Sequence, residues 1–185
     1  MSQKIVLMSS PEYFKVEYSI NPWMVPGTNV DLELAKDQWN GLKRTIEEAG
    51  AEVKVVPPSE NHPDLVFTAN SGIIRGNDVL IANFKFEERR GEEEIYIKWF
   101  KENEYNVSRI PPDYKFEGRG DAFVYGDYLV GSYGVRSDKE ALLYIAEHFE
   151  LEPVIVELAQ EKFYHLDTCC LLYTSDAADD VRSVC

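Results

Sequence analysis

The sequence predicts an α/β fold built from repeated ββαβ units. A polar cluster followed by two short apolar runs about a tight turn occurs twice. The first copy reads Phe67-Thr-Ala-Asn70, Gly72-Ile-Ile, the turn Gly76-Asn77-Asp78, then Val79-Leu-Ile-Ala. The second reads Phe116-Glu-Gly-Arg-Gly-Asp121, Ala122-Phe-Val, the turn Gly126-Asp127, then Tyr128-Leu-Val. A third copy begins at Tyr164-His-Leu-Asp167, and a period of about 50 residues marks a repeated supersecondary unit. Each hairpin is followed by one helix and one strand, whereas a doubly wound fold alternates single strands with helices.

The elements follow in order. Lys4-Ile-Val-Leu-Met reads as a buried strand. Residues 31–49 place Leu34, Ala35, Trp39, Leu42 and Ile46 at helical spacing, and Gly50 can end the helix. Glu52-Val-Lys-Val-Val alternates as a strand and is closed by Pro57-Pro58. A hairpin spans 65–84, with strand-like 65–68 leading into Asn70. Residues 92–104 form a helix with Ile95, Trp99 and Phe100 on one side. A strand over 106–110 stops at Pro111-Pro112, and a second hairpin covers 121–133. Ser137-Asp-Lys-Glu140 reads as a capping box for a helix through 149, before a strand over 154–158.

The chain has 185 residues, 44% of them hydrophobic, enough for one domain with a core. Its formal charge of −14 argues against nucleic acid or an anionic membrane as partner. The apolar run at the N-terminus is too short for a signal peptide, and no cysteine precedes Cys169, so a cytoplasmic setting is expected. Residues 170–185 lack a clear period, and Cys170-Leu-Leu-Tyr-Thr-Ser-Asp-Ala-Ala-Asp looks like translated sequencing adapter. The expected organisation is therefore one partial domain over 1–169 and a non-native tail over 170–185.

Glu117-Gly118-Arg119-Gly120-Asp121 sets two carboxylates around glycines that let the backbone turn tightly and approach a ligand. Paired carboxylates suit a guanidinium, whose N–H donors form a fixed fork. His165 and Asp167 fall on one face if their segment is a strand, which would put a carboxylate beside a general acid–base. Asn21, before Pro22, and Asn70 are turn residues or ligands. Arg89 and Arg136 could hold a substrate carboxylate, although Arg89 beside Glu87, Glu88, Glu92 and Glu93 also reads as surface pairing. No zinc-ligand spacing, P-loop or dinucleotide glycine pattern occurs, so neither metal nor cofactor is expected.

Asn21-Pro-Trp-Met, Pro63-Asp-Leu-Val-Phe-Thr-Ala-Asn70, Glu117-Gly-Arg-Gly-Asp121 and Phe163-Tyr-His-Leu-Asp-Thr-Cys169 together resemble the guanidine-modifying, or pentein, superfamily. That group includes arginine deiminases, dimethylarginine dimethylaminohydrolases, amidinotransferases and arginine dihydrolases. The resemblance implies a five-bladed α/β propeller of ββαβ units, of which this chain would supply about three. It implies a hydrolase acting on the C–N bonds of a guanidino substrate through a cysteine thiouronium intermediate. Asp121 would then grip the guanidinium with Glu117 nearby, and His165 would be the acid–base. Asp167 would orient His165 or bind substrate, with Asn21, Asn70, Arg89 and Arg136 as further substrate contacts. Asn70, where many relatives have aspartate, resembles the arginine dihydrolase branch. The nucleophilic cysteine of these enzymes lies near their C-terminus, and Cys169 resembles a non-nucleophilic position. No residue here is assigned that role, so the chain as written is expected to be inactive. Amidine transfer and noncatalytic arginine binding are the alternatives, and the parent could be a homo-oligomer.

Overall fold

The computed structural model describes residues 4–170. Among the described residues eight strands pair into three sheets. Strand β1 (Ile5–Ser9) lies parallel to β2 (Glu52–Val56), joined across helix α1 (Leu32–Glu48). In the second sheet, the hairpin β3 (Gly72–Arg75) and β4 (Asp78–Ile81) precedes helices α2 (Glu87–Arg90) and α3 (Glu92–Glu102). Strand β5 (Asn106–Arg109) then pairs parallel to β4. The third sheet repeats this order with hairpin β6 (Ala122–Tyr125) and β7 (Tyr128–Tyr133), helix α4 (Lys139–His148) and parallel strand β8 (Glu152–Glu157). Both turns expected from Gly76 and Gly126 use left-handed glycines, with φ of +62° and +60°. The α/β class and both ββαβ units are as the sequence indicates.

Strand β4 shows how the units pack. Val79 and Ile81 face a cluster containing Val56, Leu65, Tyr96, Ile97, Trp99 and Phe100. Leu80, pointing the opposite way, joins Ile73, Phe116, Ala122, Leu129 and the apolar side of α4. A strand covered on both faces has a continuous apolar run, as Val79-Leu-Ile-Ala does. Tyr96 anchors the first cluster, its buried hydroxyl donating to the Leu65 carbonyl at 3.1 Å. Tyr96→Phe leaves that carbonyl unpaired and is expected to cost about 1–2 kcal/mol, read by chemical denaturation.

Several local expectations give way to tertiary contacts. Helix α1 starts as expected, with Asp31 Oδ1 accepting the Leu34 N–H at 3.0 Å. Its apolar stripe is not buried, however: Leu34 and Leu42 remain 53% and 55% exposed. The two-stranded sheet beneath offers too narrow a face to cover it. The strand expected over 65–68 is instead parts of two 3-10 turns, Pro63–Val66 and Thr68–Ser71. Ser137 does not cap α4, which begins behind Asp138 without a side-chain cap. The expected 170–185 tail lies, apart from Cys170, outside the described residues.

Candidate active site

Four polar side chains from distant parts of the chain meet at buried positions. The second of the 3-10 turns carries Asn70, the turn Gly118–Gly120 lies between Glu117 and Asp121, and His165 precedes the turn Leu166–Thr168. Asn70 Nδ2 donates to the Glu117 carbonyl at 2.9 Å and lies 3.4 Å from His165 Nε2. On the other side of the ring, His165 Nδ1 lies 3.0 Å from Asp121 Oδ1. Glu117 Oε2 is 3.5 Å from His165 Nε2 and accepts the Arg136 Nη1 donor at 2.6 Å.

The glycines of the Glu-Gly-Arg-Gly-Asp run make this convergence possible. A Cβ on Gly120 would sit 2.5 Å from Asn70 Nδ2 and 3.0 Å from His165 Nδ1. The close approach that the sequence suggests is therefore to the site's own side chains.

Asp121 is occupied by the protein. Oδ1 faces His165 and accepts weaker bonds from Ser132 Oγ and the Leu166 N–H, both at 3.4 Å, and Oδ2 accepts from Ser137 Oγ at 2.6 Å. It is 1% exposed, and every oxygen contact the structure gives it is to the protein's own groups. The strand expected over 165–167 is absent, because Leu166–Thr168 is a 3-10 turn. His165 and Asp167 consequently do not line up on a pleat, and the carboxylate bonded to the imidazole is Asp121. Asp167 is exposed, and burial still raises its carboxyl above the usual range while the His165 charge opposes the rise.

The expected arginines are buried. Arg136 lies between the rings of Phe86 and Tyr164, at 4.8 and 5.1 Å, and its Nη2 donates to the Ile20 carbonyl at 2.7 Å. Arg89 is not a surface-paired arginine. Its Nε and Nη2 each bond Glu92 at 2.8 Å, and its Nη1 bonds Asn70 Oδ1 at 3.0 Å. Burial pushes Glu92 up to about 6, with Arg89 holding it down against that rise.

These residues border a cavity of about 410 Å³ whose lining includes Asn21, Asp64, Asn70, Arg89, Arg136, His165 and Asp167. Asn21 Oδ1 accepts the Trp23 N–H at 2.9 Å, closing a turn at the rim. Asp64 is the residue that sequence reasoning passed over. It is 3% exposed and its Oδ1 has no hydrogen-bond partner. Burial raises its carboxyl, and the Arg89 charge opposes that rise. The Tyr18 hydroxyl and the Arg136 charge oppose the rise as well, and Oδ1 is the acceptor left open in a lining that also includes Asn70 and His165. Its position directly after Pro63 was the available signal, since Pro at the start of the turn fixes where Asp64 falls. Among the described residues no cysteine lines this cavity, and no cluster could hold a metal ion. Cys169 is exposed, and burial followed by the charges of Cys170 and Asp167 raises its thiol, which disfavours the thiolate.

A histidine bonded to a buried carboxylate, beside a cavity lined by the further carboxylates Asp64 and Asp167, can support acid–base chemistry on a cationic group. Residues 22–178 match the eukaryotic N,N dimethylarginine dimethylhydrolase family, and the chain belongs to it. It is 42% identical to the bifunctional arginine dihydrolase/ornithine cyclodeaminase ArgZ of Synechocystis, over 89% of this chain and 24% of that protein. It is 37% identical to the N(G),N(G)-dimethylarginine dimethylaminohydrolase of Mycobacterium tuberculosis, over 87% of this chain and 53% of that protein. The fold is similar to a crystal structure of the N-terminal domain of ArgZ, in a cysteine-to-serine variant bound to substrate. That similarity has a TM-score of 0.84 at 42% identity, covering 89% of this chain and 62% of the other. The chain thus spans about a quarter of the length of ArgZ. Among the described residues no helix is long and apolar enough to cross a membrane.

Proposed function

We propose that the intact protein hydrolyses guanidinium C–N bonds of arginine or a methylated arginine, in the manner of an arginine dihydrolase. The observation that carries this reading is the His165–Asp121 pair, whose Nε2 lies beside Asn70 and Glu117 at the wall of a cavity also lined by Asp64. The similarity to ArgZ and to a dimethylarginine dimethylaminohydrolase supports the same chemistry. Asn70, an amide where an aspartate would add charge, favours the dihydrolase branch.

In this reading Asp64 and Asp167 hold the guanidinium, and Asp121 acts through His165. A cysteine thiolate from outside the described residues attacks the guanidinium carbon. The C–N bond to the departing amine breaks as His165 Nε2 delivers a proton to that nitrogen. The same nitrogen then removes a proton from water, whose oxygen attacks the thiouronium carbon and releases the thiolate, leaving the ureido product. A second water on that carbon, with both remaining C–N bonds broken, gives ornithine, a second ammonia and carbon dioxide. Asp121 holds the Nδ1–H throughout. Asn21 shapes the rim of the cavity, Arg136 fixes Glu117, and Arg89 fixes Asn70.

The remaining proposals concern the whole molecule. The ββαβ units form part of a five-bladed propeller, residues 1–169 are the partial domain, and residues 170–185 are a non-native tail. The chain as written binds arginine without turning it over, needs no cofactor or metal, and comes from a cytoplasmic parent that could self-associate. Calorimetric titration of the purified chain with L-arginine, paired with an ammonia assay, tests this. Binding without ammonia is expected; absence of binding overturns the guanidine site, and cysteine-dependent ammonia release overturns the inactivity. Product analysis on the parent separates ornithine from citrulline, and citrulline as the only product defeats the dihydrolase branch.

Asp64→Asn separates binding from stability. The folded chain holds the Asp64 proton more tightly than the unfolded chain, so the charged carboxylate destabilises the fold at neutral pH. That cost fades as pH falls through the raised folded value towards the unfolded one. Asp64→Asn is therefore expected to unfold at higher temperature at pH 7, with the gain shrinking on acidification. Arginine affinity should meanwhile fall roughly tenfold or more, because a charge-assisted bond is lost.

A further inference from the structure

Glu92 is the first residue of α3 and of the run Glu92-Glu-Glu, and its side chain is wholly buried. Both of its oxygens serve one partner, accepting from Arg89 Nε and Nη2 at 2.8 Å each. A two-pronged pair fixes the plane of a guanidinium as well as its position. Phe84 covers one face of that plane, 4.5 Å from Arg89 Cζ, and Nη2 also donates to the Asp64 carbonyl at 3.2 Å. Nη1 is thereby aimed at Asn70 Oδ1, 3.0 Å away.

The consequence lies in the symmetry of an amide. Its accepting and donating ends have nearly the same shape, so packing alone cannot choose between them. Among the described residues Arg89 is the hydrogen-bond donor to Asn70 Oδ1. That contact turns Nδ2 towards the Glu117 carbonyl and His165 Nε2. A donor facing Nε2 favours a bare Nε2 with the proton on Nδ1 against Asp121. Glu117 Oε2, 3.5 Å from Nε2, is by contrast an acceptor for a proton there, so the Asn70 end that meets the ring weighs on that balance.

We infer that Glu92 is a positioning residue of the site: through Arg89 it selects the end of the Asn70 amide that meets His165. The functional meaning rests on the acid–base role proposed for His165, whereas the geometry does not. A buried ion pair adds little stability over well-packed apolar side chains, so stability alone gives no reason for this one.

The test uses the ¹⁵N-labelled 185-residue chain and follows the Asn70 side-chain amide and the His165 ring nitrogens by NMR. Glu92→Gln keeps the size but sets an amide donor against an arginine N–H. Arg89→Lys keeps a cation for Glu92 and removes the branch to Asn70. Both variants are expected to shift the Asn70 amide and His165 Nε2 signals, and to speed solvent exchange of the Asn70 amide protons roughly tenfold or more. Glu93→Gln is the control, since Glu93 makes a different contact from the next position, accepting the Phe84 N–H at 3.0 Å. It should leave both signals in place. Unmoved signals in Glu92→Gln or Arg89→Lys overturn the inference, as do equal shifts in all three variants, which would report general loosening. If Glu92→Gln does not fold, Arg89→Lys decides the matter. No turnover is needed, so an error in the proposed reaction shows separately, as a failure to bind arginine.

Discussion

Asp121→Asn in the intact protein is expected to lower the proposed hydrolytic turnover by roughly 10³–10⁴-fold while leaving arginine affinity within a few-fold, by analogy with the carboxylate of a serine-protease triad. Asp121 Oδ1 lies against His165 Nδ1, and the residue does not line the cavity, so its loss acts on the imidazole and not on substrate binding. An asparagine amide presented to Nδ1 donates a hydrogen bond and pushes the ring proton to Nε2. That nitrogen can then no longer take a proton from water. Ser137 complicates the exchange in a useful way. Its Oγ accepts the Glu117 N–H at 3.0 Å and so must give its own hydrogen to Asp121 Oδ2. An asparagine at 121 cannot offer acceptors to both Ser137 and His165. Steady-state kinetics on the full-length variant, with the His165 tautomer read by ¹⁵N NMR in this chain, checks the prediction. A fall in affinity with turnover intact would instead make Asp121 a substrate ligand.

The unit order was legible because hairpins, helices and strand stops are written locally, in turn glycines such as Gly76 and Gly126 and in Pro111-Pro112. The convergence of Asn70, Glu117, Asp121 and His165 was legible from motif order, although His165 and Asp121 lie 44 positions apart. Direction was not legible. Whether Asp121 faces a ligand or an imidazole depends on which hydroxyls surround it, and Ser132 and Ser137 come from beyond the next turn. Glu92 illustrates the same limit. In a run of three glutamates, only packing distinguishes the wholly buried Glu92 from the half-buried Glu93 and the exposed Glu94. Ser137 carries a cap signature yet is spent on Asp121, because a buried carboxylate outcompetes a helix terminus that water can solvate.

Gly118→Ala should be the most destabilising single-methyl addition at the site. Gly118 has φ +65°, a left-handed conformation that costs a non-glycine residue about 1–2 kcal/mol. Its missing Cβ would lie 2.6 Å from the Asn70 carbonyl carbon and 2.7 Å from the carbonyl oxygens of Ala69 and Asn70. All three are main-chain atoms and cannot rotate aside, so overpacking adds about 1–3 kcal/mol. The total of about 3 kcal/mol corresponds to a fall in melting temperature of roughly 6–12 °C for a chain of this size. Gly126→Ala separates the two causes. That glycine has nearly the same φ, +60°, but nothing within 4 Å of the added methyl. It should show only the conformational cost, roughly 2–8 °C. The excess at Gly118 measures how tightly the Glu117–Asp121 turn is pressed against Asn70. Its relief must displace Asn70, which bonds the Glu117 carbonyl and faces His165 Nε2. The same variant should therefore disturb the His165 signals in NMR, whereas Gly126→Ala leaves them unchanged. Equal melting temperatures for the two variants would mean that the turn and the Asn70 backbone are not in close contact, and that the site is assembled more loosely than these distances require.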